Sequence, residues 1–286
     1  MAGQMPELPE VETIRRDLQE RLVGRTVERV RVARASVIVG SASTVRKRLA
    51  GQEVLACRRH GKVLIVDFSR RHSLLVHPRM TGQVIISEER ARPDYTRVTF
   101  DLADGGALFY ADCRALGKLE VCPTEMVPDS ESLRRFGPDA LADDAIASLP
   151  RRAGHRRVPI KALLLDQSAI AGVGNIYACE ALYRARVPPD RRANELTRAQ
   201  WRRLCSTVTE VLAEAIEARG TTLRDYRTGI GTPGGYAIRL AVYGREGEPC
   251  LARACDAMIE RCVQQQRSTF YCPVCQARGR GGETQP

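Results

Sequence analysis

Val63-Leu64-Ile65-Val66-Asp67-Phe68-Ser69-Arg70-Arg71-His72-Ser73-Leu74-Leu75-Val76 holds two short apolar runs parted by a charged cluster. Runs of this length, rich in β-branched residues and bounded by turn-forming ones, read as adjacent strands. The same punctuation continues outward. Val54-Leu55, Val84-Ile85-Ile86, Val98-Thr99-Phe100 and Leu108-Phe109-Tyr110 alternate with Gly, Asp and Arg clusters from Thr26 to about Val121. Closely spaced short strands with turn signals predict an antiparallel sandwich or barrel. Ahead of them, Val11, Ile14, Leu18 and Leu22 recur at helical spacing and predict one amphipathic helix ending before Gly24. Beyond residues 123–144, read as a linker, the pattern turns helical at 145–149, 160–168, 176–185 and 198–219. The last of these has Thr197 as its cap and Gly220 as its stop. The chain is therefore expected to be α+β, and no internal repeat is visible.

Composition narrows the class. The 286 residues suffice for a sizeable core and are expected to divide between two domains, and 43% are hydrophobic. No stretch could span a bilayer, because the most apolar one, 160–173, is broken by Lys161, Asp166 and Gln167. Lys and Arg total 45 against 34 acids, a net charge of +11, which favours a polyanionic partner and nucleic acid first. The N-terminus lacks the layout of a secretory signal, so the ten cysteines are expected to be reduced in a cytoplasmic protein.

Four of those cysteines form a pattern. Cys250-x4-Cys255-x16-Cys272-x2-Cys275 offers two thiolate pairs across a hairpin, the ligand set of a structural zinc ion. Four sulfurs leave no open coordination position, so one zinc ion is expected to shape the fold and take no part in catalysis. Cys262, in the middle of the hairpin, is a poorer alternative ligand. Arg267 lies on the hairpin itself, where a stiffened arginine suits a phosphate.

Two further stretches carry chemistry. In Met5-Pro6-Glu7-Leu8-Pro9-Glu10, a proline precedes an acid. At a free N-terminus the proline nitrogen is a secondary amine and a nucleophile, and inside a chain it is an inert tertiary amide. Removing Met1 exposes Ala2; Pro6 becomes available if translation starts at Met5 or the four-residue preface is clipped, and a start at Met5 is the expectation. In 166–177, Gly172 and Gly174 permit a tight turn and Asn175 opens a helix whose free N–H groups attract phosphate.

Together these motifs resemble the formamidopyrimidine-DNA glycosylase family. The matching stretches are PELPEVET from Pro6, RRHGK ending at Lys62, HPRMTG around Met80 and ADCRALG around Arg114. LLLDQSAIAGVGNIYACEAL, RGTTLRDY, VYGREGEPC and RSTFYCPVCQ follow in order. The resemblance implies a helix and β-sandwich catalytic domain (6–122) behind an extension (1–5). It further implies a helix-two-turn-helix DNA-binding domain (145–241) and a zinc finger (242–278), and the polar composition of 279–286 predicts a disordered tail.

The same resemblance implies a monomer that removes oxidised purines from duplex DNA and cuts the strand by β,δ-elimination. Pro6 is the implied nucleophile at C1′ of the damaged nucleotide, Glu7 the acid, and Glu10 its supporting group. Lys62 is the implied β-elimination residue and Arg267 the δ-elimination and phosphate contact. Asn175, Arg157 and Lys161 match phosphate-gripping positions, while Met80, Arg114 and Leu116 fill the gap left by the flipped base. The loop at 224–235 is implied to cover that base. Tyr95 stands where the family has a histidine, Ala115-Leu116 replaces Arg-Phe, and Pro78-Arg79 replaces Leu-Gly. Singly, each residue has a plainer reading: helix capping for Glu7 and Glu10, solvated charge for Lys62 and Arg157, core for Met80. Two rivals remain, an endonuclease VIII-like enzyme for oxidised pyrimidines and a non-catalytic lesion-binding protein.

Overall fold

The computed structural model describes residues 5–89, 91–223 and 226–277. The leading tetrapeptide, the tail at 279–286 and the first two residues of the 224–235 loop lie outside them. The chain divides into two compact units, Met1–Arg135 with Ala215–Ala237, and Phe136–Glu214 with Ile238–Pro286.

In the first unit, α1 (Leu8–Arg21) opens with Pro9 in its first turn and leaves through Gly24 at φ +84°. It buries Val11, Ile14, Leu18 and Leu22 in the main core. Eight strands follow: β1 (Thr26–Val32), β2 (Gln52–His60), β3 (Val63–Phe68), β4 (His72–His77), β5 (Gly82–Ser87), β6 (Thr96–Leu102), β7 (Ala107–Asp112) and β8 (Lys118–Pro123). They are antiparallel, in the order β5-β7-β6-β1-β2-β3-β4-β8. β1 meets β2 through Thr26–Glu53 and Val27–Gln52, and the register slips beside that join in both strands, between Val27 and Arg29 and between Val54 and Ala56.

Such bulges sharpen the twist and let a sheet fold back on itself. The two halves accordingly share one core, in which Val30, Phe100 and Leu108 join Leu64, Leu74 and Leu119. This is the expected sandwich. One element was not expected: α2 (Ala42–Leu49), capped by the Ser41 hydroxyl, interrupts the strands. It buries only Val45 and Leu49, too few to leave a helical stripe in the sequence.

The second unit contains α3 (Leu149–Ala153), α4 (Ile160–Leu165), α5 (Asn175–Arg184) and most of α6 (Arg198–Glu217), then a hairpin of β9 (Glu260–Gln264) and β10 (Arg267–Tyr271). Residues 145–148, read as helical, are turns, and α3 begins only at Leu149. α4 stops before 168 because the Asp166 carboxylate accepts the N–H of Ser168 at 2.9 Å, a local turn that competes with helix. Thr197 caps α6 as expected, its hydroxyl accepting from Gln200 N while Gln200 Oε1 accepts from Thr197 N. The helix leaves through Arg219 and Gly220, at φ +62° and +84°.

Candidate nucleic-acid site

The N-terminus of α1 gathers the first group of residues. Pro6 and Glu7 are buried, and Glu10 is completely so. Glu10 closes a capping box by accepting the Glu7 N–H on Oε2 at 2.8 Å. Its other oxygen accepts the N–H of Thr221 at 2.8 Å. Gly220 stands against the same carboxylate, where a Cβ would lie 2.9 Å from Oε1. The Tyr226 hydroxyl donates to the Arg219 carbonyl at 3.1 Å, and Asp17 accepts from Arg219 at 2.7 Å and from Gly229 N at 2.9 Å. Arg219, Thr221 and Gly229 thus bond to α1, the helix that follows Pro6 and Glu7. Thr221, Asp17 and Arg219 are partners that sequence reasoning missed.

Lys62, directly before β3, is 4% exposed. Burial, with the charges of Arg79 and Lys62 close by, pushes the His77 imidazole down to about 4. The end of β4, the Lys62 ammonium and the loop leading to Met80 therefore share one neighbourhood. Arg114 is exposed and donates to the Met80 sulfur at 3.6 Å, and Leu116 is also exposed. Tyr95 projects into solvent under the Arg97 guanidinium, 5.8 Å from the ring centre. Met80 and Arg114 are in direct contact; no described hydrogen bond joins Tyr95 or Leu116 to them.

In the second unit, Asn175 starts α5 and its amide donates to the Ser268 carbonyl at 2.9 Å. Lys161 is 1% exposed, and its ammonium donates to that carbonyl at 3.1 Å and to the Thr269 hydroxyl at 2.6 Å. Burial pushes the Lys161 ammonium down. Both residues therefore brace the hairpin next to Arg267, which is exposed after the tight turn at Gln265 and Gln266. Arg157 is exposed, and no described hydrogen bond brings it to this group. Glu180 is fully buried and accepts the N–H groups of Ala241, Val242 and Tyr243, which ties α5 to the start of the finger.

The sulfurs of Cys250, Cys255, Cys272 and Cys275 all lie within 4.8 Å of one another. Cys250 and Cys275 are 3.8 Å apart, and Cys255 and Cys272 are 3.7 Å apart. Four sulfurs about 2.3 Å from a common centre stand about 3.8 Å apart at the corners of a tetrahedron. The donor set fits a metal ion, and Cys262, on β9, lies outside it.

Comparison with known proteins decides the family. The formamidopyrimidine-DNA glycosylase N-terminal domain matches residues 5–119, and the H2TH domain of the same glycosylases matches residues 136–227. The chain belongs to the formamidopyrimidine-DNA glycosylase family. The formamidopyrimidine-DNA glycosylase of Cereibacter sphaeroides is 41% identical over 285 residues, covering 95% of this chain and all of that protein. That of Ruegeria pomeroyi is 37% identical over 286 residues, with the same coverage. Among solved structures, the MutM (Fpg) protein of Thermus thermophilus is 39% identical with a TM-score of 0.86. The Lactococcus lactis Fpg in complex with DNA containing an abasic site is 32% identical with a TM-score of 0.88. Each of the two covers 96% of this chain and is itself covered completely. Among the described residues, no helix is long and apolar enough to cross a membrane.

Proposed function

We infer that this chain excises oxidised purines from duplex DNA and then cleaves the strand, as a DNA glycosylase and AP lyase of base-excision repair. The observation that carries the reading is the Glu10 carboxylate, which pins Glu7 beside Pro6 at the start of α1 in a chain of this family. Relatives named formamidopyrimidine-DNA glycosylase, and family structures holding Fapy-dG or abasic-site DNA, support the substrate class.

In this scheme the Pro6 nitrogen attacks C1′ and the bond to the damaged base breaks, the nitrogen's own proton passing to the departing base; Glu7 then protonates O4′ as the C1′–O4′ bond opens. Opening of the ring leaves a Schiff base, an iminium, between Pro6 and deoxyribose. Lys62 then assists β-elimination, and Arg267 assists δ-elimination while holding a phosphate. Met80, Arg114 and Leu116 occupy the gap in the stack. Asn175, Arg157 and Tyr95 contact the backbone, and Lys161 contributes through the hairpin it braces.

The scheme requires a chain that begins at Pro6, so that the proline nitrogen is a free secondary amine. Zinc is the metal we assign to the four cysteines, because an all-thiolate tetrahedron suits it. When bound, it stiffens the hairpin that carries Arg267. One chain carries every group the scheme uses, so a monomer suffices for the chemistry. Bacterial relatives and a DNA substrate support a cytoplasmic location.

Borohydride trapping on an 8-oxoguanine duplex tests the reading. Protein beginning at Pro6 should form a covalent adduct, and Pro6→Gly should not. Undiminished trapping by Pro6→Gly, or by protein that keeps its leading tetrapeptide, would assign the bond to another amine.

A further inference from the structure

We propose that Asp112 is a positioning residue that locks the loops carrying Met80, Arg114 and Leu116 into one preformed wedge. The proposal rests on the function inferred above. Asp112 ends β7, is completely buried, and lies two residues before Arg114. Its carboxylate serves both loops at once. Oδ1 accepts from the hydroxyl of Thr81, the residue after Met80, and from Arg114 N at 3.2 Å. Oδ2 accepts from Gly117 N at 2.9 Å and from the Tyr110 hydroxyl at 3.0 Å. The two backbone donors bracket Leu116, and the Thr81 bond reaches across to the Met80 loop.

Two other observations point to the same hub. The Tyr110 hydroxyl lies beneath both loops: a Cβ on Gly82 would come within 2.7 Å of it, and one on Gly117 would overlap it. Each loop also holds a non-glycine residue in the left-handed region, Arg79 at φ +53° and Ala115 at φ +52°. Such conformations persist where surrounding bonds over-determine them. Arg97 adds two, donating to the carbonyls of Asp112 at 2.7 Å and Cys113 at 3.1 Å. One buried side chain thus bonds the loops that carry the unusual residues Pro78-Arg79 and Ala115-Leu116, and Arg114 meets Met80 across them.

Asp112→Asn keeps the shape but turns one acceptor into a donor. Thr81 and Tyr110 hydroxyls can rotate to accept, whereas a backbone N–H of Arg114 or Gly117 cannot. A wedge is needed only where a stack must be opened, so duplex and single-stranded substrates should separate. With full chains beginning at Pro6, we expect Asp112→Asn to lose at least tenfold in kcat/KM for 8-oxoguanine excision from duplex. Borohydride trapping on an abasic site in single-stranded DNA should stay within twofold of wild type. Tyr110→Phe, which removes one donor and leaves Gly117 bonded, should show a smaller split in the same direction. Equal losses on both substrates would make Asp112 a folding residue only, and unchanged duplex excision by both variants would remove it from the wedge. Wild-type protein inactive on duplex and single strand alike would instead overturn the function on which the proposal rests.

Discussion

Glu10 accepts the backbone N–H of Thr221 at 2.8 Å across 211 positions of sequence, while its other oxygen holds the N–H of Glu7. One buried carboxylate therefore fixes both the first turn of α1 and the segment that returns to it after α6. A carboxylate has an acceptor oxygen for each of the two backbone donors.

Glu10→Gln should show this. Whichever way the amide turns, its NH2 group faces one of two N–H groups that cannot rotate. Leaving a buried donor unsatisfied costs about 1–3 kcal/mol. Urea denaturation should report that loss, and single-turnover excision should slow more than tenfold while duplex affinity stays near wild type.

Gly220 leaves no room for a side chain. At φ +84°, with its missing Cβ 2.9 Å from Glu10 Oε1, Gly220→Ala combines backbone strain with a displaced carboxylate. A destabilisation of about 2–3 kcal/mol is expected. A melting temperature within a degree of wild type would contradict the close approach.

His77 predicts a pH dependence. Its folded value of about 4 lies below the ordinary 6.5, so the unfolded chain takes up a proton that the folded ring refuses. Its contribution is fully present above pH 6.5 and is lost as pH falls through that window towards 4. His77→Gln should flatten the stability profile there by about 2 kcal/mol relative to wild type, allowing for the part of the ring that water reaches. Parallel denaturation curves for the two proteins across pH 4 to 6.5 would remove the effect.

Metal removal tests the finger. Elemental analysis should find one zinc ion per chain, and Cys272→Ser, which breaks the 3.7 Å pair with Cys255, should lose it. Duplex affinity should fall by at least a hundredfold on chelation and return with zinc. Full affinity in metal-free protein would detach the finger from DNA binding.

Lys62→Ala should slow strand cleavage on 8-oxoguanine duplex by tenfold or more, with little change in stability beyond the roughly 1 kcal/mol typical of a buried substitution. A variant as fast as wild type would take Lys62 out of the reaction scheme.

Much of this protein is written locally. The strand runs at 63–66 and 74–76 became β3 and β4, Thr197 capped α6, and the spacing of four cysteines anticipated their cluster. Period, capping chemistry and ligand spacing each act within a few residues, so a linear reading recovers them. The same reading missed α2, whose two buried residues make no stripe, and extended α4 past a turn that the Asp166 side chain imposes.

Residue types alone determined the sandwich, the helices that follow it, the cysteine shell and the resemblance carried by the motifs. Only the tertiary structure decided which groups meet: Glu10 with Thr221, Lys161 with Thr269, and Asp112 with Thr81 and Gly117. The reason is physical. Two of these partners, on Thr221 and Gly117, are backbone N–H groups, which nearly every residue carries and no sequence marks. Long-range closure of the chain is what selects one of them for a buried carboxylate.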